Sequence, residues 1–229
     1  MSLKQAMAGE CGLQFFGKMT ASISHEIRNV LAVLNENAGL MEDLLLMAEK
    51  GRPVDQERLK ALARSMGQQI RRGDGIVENM NRFAHEVDQP VKQVDLNEAI
   101  GLLVALSGRL AGMRGVTIEP VGEEEVLMTT NPFFLENLLW CVVDFAMPLM
   151  GEARVLKIIS ERSETGVRIR VSGLENLEQA VRDRFPSKRE QALLESLKAE
   201  CAVDVTAGEI AISLPKKIDP VYSRDPTRK

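Results

Sequence analysis

Three side chains near the start of the sequence are of types that could do chemistry together. His25 is followed directly by Glu26, and Asn29 comes four residues after the histidine. A neutral imidazole is a competent nucleophile near pH 7. On a helix, residues at −3 and +4 share a face, so Ser22 and Asn29 would lie beside His25. The group is therefore either a reactive histidine with polar neighbours or a polar patch covered by water.

A long amphipathic helix must position these residues. Apolar side chains recur every three or four residues through this stretch, which predicts the buried seam of a helix in a bundle. The seam residues are Phe16, Met19, Ile23, Ile27, Val30, Leu34, Ala38, Met41 and Leu45. Because His25 is two residues from Ile23 and two from Ile27, its side chain is predicted to point away from the seam.

A second long helix follows after Gly51, Pro53 and Asp55, which suit a helix end and a new helix start. Its seam residues are Leu59, Leu62, Met66, Ile70, Gly73, Val77, Met80, Ala84 and Val87. Two long helices with a short connection are predicted to lie antiparallel. Two helices alone cover such long seams poorly, which predicts a homodimeric four-helix bundle. Residues 88–90 then form a predicted hinge.

The run Ser-His-Glu-Ile-Arg-Asn at residues 24–29 resembles the phosphoacceptor box of the sensor histidine kinases, with Val30 where proline is usual. The resemblance implies that His25 accepts a phosphoryl group and that Glu26 orients the ring or acts as its general base. It also implies that Asn29 positions a water when a partner regulator is dephosphorylated. The implied partner is a response-regulator receiver domain.

The second half of the chain resembles the ATP-binding domain of the same family more weakly. Its mixed pattern predicts an α/β sandwich with a mixed sheet backed by helices. The predicted helices are 96–113, 132–149 and 188–200, and the predicted strands are 116–121, 126–129, 155–161, 167–172, 202–206 and 209–214. The fold class is thus α+β, with a helical hairpin at 10–90, a degenerate ATPase-like domain at 91–217 and a flexible tail at 218–229.

The nucleotide motifs of that domain are missing. Cys141 stands where the resemblance places a Mg²⁺-binding Asn, and Mg²⁺ prefers oxygen ligands. Ser172 and Gly173 stand where an Asp-x-Gly-x-Gly turn would contact adenine. Residues 182–200, the position of the lid and its phosphate loop, contain no glycine, so backbone amides cannot easily cradle phosphates. We therefore expect no cofactor and no metal in this chain, with Mg²⁺ on the partner receiver domain.

Several of these residues also have plainer interpretations. Cys141 can be a core thiol, Trp140 a packing residue and Asn137 an ordinary helix residue left from the ancestral motif. His85, near the end of the second predicted helix, can be a surface residue.

Composition narrows the function classes. The chain has 229 residues, a net charge of −4 and 4% aromatic residues, which disfavours binding to nucleic acid or to anionic lipid. Its three cysteines are far apart and suggest neither a disulfide framework nor a metal site. No apolar run is long enough to read as a membrane span. We expect a cytoplasmic protein.

Three functions are compatible with these features. The first is a phosphorelay protein in which His25 takes a phosphoryl group from one receiver aspartate and gives it to another, or dephosphorylates a regulator, without ATP. The second is an ATP-dependent sensor kinase fragment with divergent nucleotide motifs. The third is a non-catalytic dimer that binds receivers. In each, a receiver domain would dock near His25, with Leu31, Val33 and Leu34 lining part of the contact.

Overall fold

The structure, a computed structural model, describes residues 3–122 and 125–218. The helices are α1 Leu3–Glu49, α2 Gln56–His85, α3 Leu96–Met113, α4 Pro132–Ala146, α5 Leu177–Arg184 and α6 Lys188–Leu197, with a 3₁₀ turn at Met147–Leu149. The strands are β1 Lys92–Asp95, β2 Thr117–Val121, β3 Leu127–Thr130, β4 Val155–Ser163, β5 Gly166–Ser172, β6 Glu200–Asp204 and β7 Glu209–Pro215. The predicted α+β class is confirmed. The predicted tail lies outside the described residues from position 219 onward.

Residues 20–82 form one compact unit, a hairpin of α1 and α2. Asn37 Nδ2 donates to Ser65 Oγ at 2.9 Å. Closer to the start of α1, Val30 lies against Gly73, where an added Cβ would be 3.4 Å from Val30 Cγ1. Partner positions rise along α1 as they fall along α2, so the helices are antiparallel, as predicted.

The connection between the two helices has the predicted end and start signals. Gly51 has φ +82°, a left-handed conformation that glycine adopts without steric cost. Asp55 caps the next helix, because its Oδ1 accepts a hydrogen bond from the backbone N–H of Arg58 at 3.0 Å.

The remaining described residues, up to Met19 and from Phe83 onward, form a second compact unit. Its five-stranded sheet has the order β2-β4-β5-β7-β6, in which β2 and β4 are parallel and the other neighbours antiparallel. This is the mixed sheet that the sequence predicts. A separate antiparallel pair, β1 with β3, leads into α3 and α4. Asn131 caps α4 by accepting from the Phe134 N–H at 2.8 Å.

The first turns of α1 belong to this second unit, whereas the sequence assigned them to the hairpin from residue 10 onward. Apolar residues at Ala8, Cys11, Phe15 and Met19 continue the helical period and are buried. The predicted seam is therefore wrong at Phe16, which is 39% exposed while Phe15 is buried. The physical reason is that this part of α1 packs on a different partner and presents a different face to it.

An aromatic cluster joins the start of α1 to the rest of this unit. The Phe15 ring centroid is 5.3 Å from that of Phe83 and 5.7 Å from that of Phe133. Close packing also accounts for Gly12, where an added Cβ would be 2.9 Å from the Phe133 ring. The predicted seam position Ala84 is exposed, and its neighbour Phe83 is the buried residue.

Helix α4 is the most apolar segment of this unit. Among the described residues, Pro132–Leu149 is the one helical stretch long and apolar enough to cross a membrane, with a mean hydropathy of 1.3. However, 67% of it is buried inside the protein. The core helix of a globular unit has the same properties.

Candidate functional site

His25 lies on the exposed face of α1, within the hairpin unit. Ile23 and Val30, on either side of it in sequence, are buried. The outward direction predicted from the helical period is therefore confirmed. Within the described residues, the His25 ring has no hydrogen-bond or ion-pair partner, so its nitrogens are accessible to a molecule that docks on this face.

Asn29, one turn beyond His25, is also exposed. The two side chains therefore share a solvent-facing strip of α1. Ser22 does not belong to this strip, although the −3 spacing predicted it. Its side chain is buried, and its Oγ has no hydrogen-bond partner in the described part of the chain. Ser22 is buried because a position three residues before His25 is rotated around the helix toward the seam that contains Ile23.

Glu26 is held between the two helices of the hairpin. Its Oε2 lies 3.7 Å from Nη2 of Arg72, which is on α2, and only 17% of its side chain is exposed. This is an ion pair at the long end of the range, so it adds at most about 1 kcal/mol to stability. Its main effect is to restrict the carboxylate that follows the histidine.

The nucleotide-motif region lies in the other unit, on one face of α4. Asn137 is 1% exposed, and its Oδ1 accepts a weak hydrogen bond from Cys141 Sγ at 3.7 Å. Burial raises the pKa of the Cys141 thiol to about 12, so the sulfur keeps its proton at neutral pH. A protonated thiol is not a ligand for Mg²⁺, which takes oxygen donors. The residues present do not fit the metal that the resemblance implies.

The same face of α4 is covered further along by an aromatic side chain. Phe145, one turn beyond Cys141, stacks on Phe185 with ring centroids 4.5 Å apart. Phe185 belongs to the short segment between α5 and α6, where the resemblance places the mobile lid. That segment leads straight into α6, whose first turn is closed by a capping box of Ser187 and Glu190. The lid position is thus occupied by packed structure.

The turn at Gly173 opens on a different cleft. Gly173 has φ +96°, and a Cβ there would be 2.8 Å from the Val155 carbonyl oxygen, so only glycine fits. A cleft of about 290 Å³ at this turn is lined by residues 150–155 and 173–175. The cleft at Asn137 and Cys141 has a volume of about 340 Å³ and shares no lining residue with it. Two positions that would border one nucleotide site therefore border separate clefts.

The plainer interpretations of the other residues hold in part. Trp140 is buried in the unit, with Nζ of Lys18 4.7 Å from its ring centroid, as expected for a packing residue. His85 is on the surface, where its Nδ1 lies 2.7 Å from Asp88 Oδ2. Cys141 and Asn137 line a cleft. The interpretation of Cys141 as a core thiol and of Asn137 as an ordinary helix residue did not predict this cleft. The apolar period of α1 extends back to Ala8, which is the sequence signal that the start of this helix is also packed against other elements.

Comparison with known proteins gives structural matches only. No family model matches the chain, and no curated protein matches it. The catalytic domain of histidine kinase ThkA is 18% identical, with a TM-score of 0.46, and the match covers 57% of this chain and 100% of that one. Histidine kinase AdeS of Acinetobacter baumannii is 14% identical, with a TM-score of 0.42, covering 84% of this chain and 98% of that one.

A third match covers more of the present chain. Histidine kinase ThkA in complex with the response regulator protein TrrA is 17% identical, with a TM-score of 0.44, covering 94% of this chain and 67% of that one. All three matched structures are histidine kinases.

Proposed function

We propose that the chain is a two-component phosphorelay protein. In this proposal His25 accepts a phosphoryl group from one receiver-domain aspartate and transfers it to the aspartate of another receiver domain. The observation that carries the proposal is a contrast between the two units. The hairpin presents His25 and Asn29 to solvent beside a restrained Glu26. The ATPase-like unit has a protonated thiol at the metal position and Phe185 packed on the same helix face.

The main contribution of the protein to the proposed transfer is to position the His25 ring relative to the phosphoryl group. A ring nitrogen of neutral His25 attacks phosphorus, the P–N bond forms, and the P–O bond to the aspartate breaks to leave its carboxylate. Phosphoryl transfer has a loose transition state, so alignment and charge neutralisation supply most of the catalysis. Mg²⁺ on the partner receiver domain would neutralise the phosphoryl oxygens. Glu26 would hold the imidazole in its reactive orientation and take up its proton, while Asn29 would position a water if the relay also dephosphorylates the regulator.

The direct test is transfer from a receiver domain carrying a labelled aspartyl phosphate. We expect label to appear on this chain in a form stable to base and labile to acid, as for a phosphohistidine, or the receiver to lose phosphate faster than it does alone. If neither occurs, phosphotransfer and phosphatase activity are both excluded for that receiver. Retention of tight receiver binding in that case would favour the non-catalytic dimer.

Binding of ATP separates the proposal from an ATP-dependent kinase. Because the metal position is a thiol and the lid position is packed, we expect no saturable binding of Mg·ATP in calorimetric titration and no label on the chain from γ-labelled ATP. A matched histidine kinase should be titrated in parallel to show that the assay detects binding. Saturable binding with self-phosphorylation would establish the kinase instead.

The receiver is proposed to dock on the hairpin beside His25, through Leu31 and the half-buried Val33 and Leu34. Leu31 is 58% exposed, so a charge there is tolerated by the fold. Leu31→Glu should weaken receiver binding about tenfold or more, because it puts a carboxylate into an apolar contact. Leu46→Glu is a control, since Leu46 is equally an exposed leucine of α1 but lies far along the helix from His25. Equal effects of both changes, or no effect of either, would contradict this docking site.

The proposed protein is a cytoplasmic homodimer joined through the hairpin. Ile70 and Val77, one heptad apart on α2, are 52% and 45% exposed in the single chain, and Leu45 is 55% exposed on α1. Monomeric proteins rarely leave such a stripe in contact with water. Light scattering should give twice the chain mass for the wild type and the monomer mass for Ile70→Glu. A wild-type monomer at micromolar concentration would refute the dimer.

A further inference from the structure

The cleft beside α4 has features that the proposed phosphotransfer does not use. Its walls come from three helices, with Phe15 and Lys18 on α1, Asn137 and Trp140 on α4 and Arg189 on α6. A volume of about 340 Å³ is within the range of small-molecule sites, which runs from about 300 to 1,000 Å³.

One buried donor in this cleft is unsatisfied. The Asn137 side chain is 1% exposed, and its Nδ2 has no hydrogen-bond partner in the described part of the chain. Its Oδ1 already accepts from Cys141 Sγ. A buried amide without a partner for its N–H groups is costly, so a site for an incoming acceptor is the expected reason for keeping one.

A second donor lines the same cleft. The Arg189 side chain lines the cleft and forms no ion pair with any carboxylate in the described ranges. The two carboxylates of the cleft are already engaged. Asp144 pairs with Lys18 at 3.1 Å and with Arg114 at 2.8 Å, and Glu190 Oε2 accepts from the Ser187 N–H at 2.7 Å. Asn137 Nδ2 and the Arg189 guanidinium are therefore two unmet donors of the cleft, and the complement of such a pair is an anionic acceptor.

Three aromatic side chains also line the cleft, beside Gln14 and the thiols of Cys11 and Cys141. Phe15, Trp140 and Phe145 all line the cleft, and their rings favour a flat, apolar body over a strongly hydrated one. We propose that this cleft binds a small aromatic carboxylate, with its carboxylate oxygens accepting from Asn137 Nδ2 and the Arg189 guanidinium and its ring among these aromatic side chains.

Such a ligand would touch the helix that carries His25. Lys18 is on the cleft wall and precedes His25 by seven residues in the sequence of α1. A bound carboxylate would join α1, α4 and α6 of this unit and so stabilise the start of α1 against fraying. The site does not depend on whether His25 is phosphorylated.

Benzoate and indole-3-acetate are suitable probes, followed by calorimetry and by ligand-observed NMR on the full chain. We expect saturable binding of at least one of them. Arg189→Gln and Asn137→Leu should each weaken that binding about tenfold or more, as for the loss of a charge-assisted hydrogen bond. Arg168→Gln, which changes an exposed arginine of β5 away from the cleft, should leave it unchanged.

Three results would overturn the site. One is no binding of either probe at millimolar concentration to the wild type. Another is binding that neither Arg189→Gln nor Asn137→Leu weakens. The third is stronger binding of inorganic phosphate or Mg·ATP at the same residues, which would assign a different ligand class. Circular dichroism checks the fold of each variant, and Arg189→Gln changes an exposed residue, so its result stands even if Asn137→Leu fails to fold.

Discussion

Replacing His25 by alanine should abolish transfer of a phosphoryl group from a receiver domain to this chain. The imidazole is the nucleophile of the proposed reaction, and the exposed amide of Asn29 beside it is not a nucleophile that can replace it. Loss of a nucleophile lowers such rates by a factor on the order of a thousand or more. The measurement is the rate at which label leaves the phosphorylated receiver and appears on the chain. Because His25 is exposed and has no partner among the described residues, the change should leave the unfolding free energy nearly unaltered.

The chain supplies its own control for this experiment. His85 is the other histidine of the sequence, it is also exposed, and it pairs with Asp88. His85→Ala should transfer label at the wild-type rate. His85 is also followed by a glutamate, but Glu86 is paired with Lys92 at 2.7 Å, and the residue four positions after His85 is Gln89 rather than an asparagine. Label that persists in His25→Ala and disappears in His85→Ala would move the acceptor to the second histidine. Label that persists in both would place it on another residue type.

Receiver binding by the His25→Ala variant adds a second readout. If the docking surface is on the hairpin, the variant should still bind an unphosphorylated receiver with an affinity close to that of the wild type. A regulatory effect in cells that survives His25→Ala would favour a binding role over a phosphotransfer role. Loss of that effect with binding intact would favour the relay.

Elements with strong periodicity or strong caps were predictable from the sequence. Helix α3 begins at Leu96 and ends at Met113, as predicted, because Asp95 caps its start and apolar residues recur through its length. Helix α5, Leu177–Arg184, was missed. It is short and mostly polar, and it follows Asn176 in a left-handed conformation, so neither period nor cap marks it. Strand β1 was missed because four residues are too few to show alternation.

The features of the candidate site also fall into two groups, those that local sequence spacing predicts and those that depend on contacts between distant residues. The outward direction of His25 follows from a local rule, the spacing from Ile23 and Ile27, and a local rule can be applied to a sequence. The packing of Phe185 on Phe145 joins residues forty positions apart, and no local pattern contains it. The sequence itself shows that the nucleotide motifs are absent. It does not show that Phe185 packs on the face of α4 that carries the altered motif.

The largest stability effect is expected for Phe83→Ala. Phe83 is 1% exposed, and its ring contacts those of Phe15 and Phe133 at centroid distances of 5.3 and 6.0 Å. Truncation of a buried phenylalanine costs about 3–5 kcal/mol, since it removes apolar contacts and leaves a cavity. Here the cavity would open where the start of α1 packs. Urea unfolding followed by the fluorescence of Trp140, the one tryptophan of the sequence, would report on this unit.

Phe16→Ala is the matched control for that experiment. Phe16 also stacks on Phe83, with centroids 5.4 Å apart, but 39% of its surface is exposed, so its removal leaves an indentation that water can fill. We expect less than half the loss caused by Phe83→Ala, and an intermediate loss for Phe83→Leu, which keeps part of the buried volume. Hydrogen exchange should show loss of protection in residues 8–19 for Phe83→Ala before the sheet is affected. Equal losses for the two alanine variants, with residues 8–19 still protected, would mean that the aromatic cluster does not hold the start of α1.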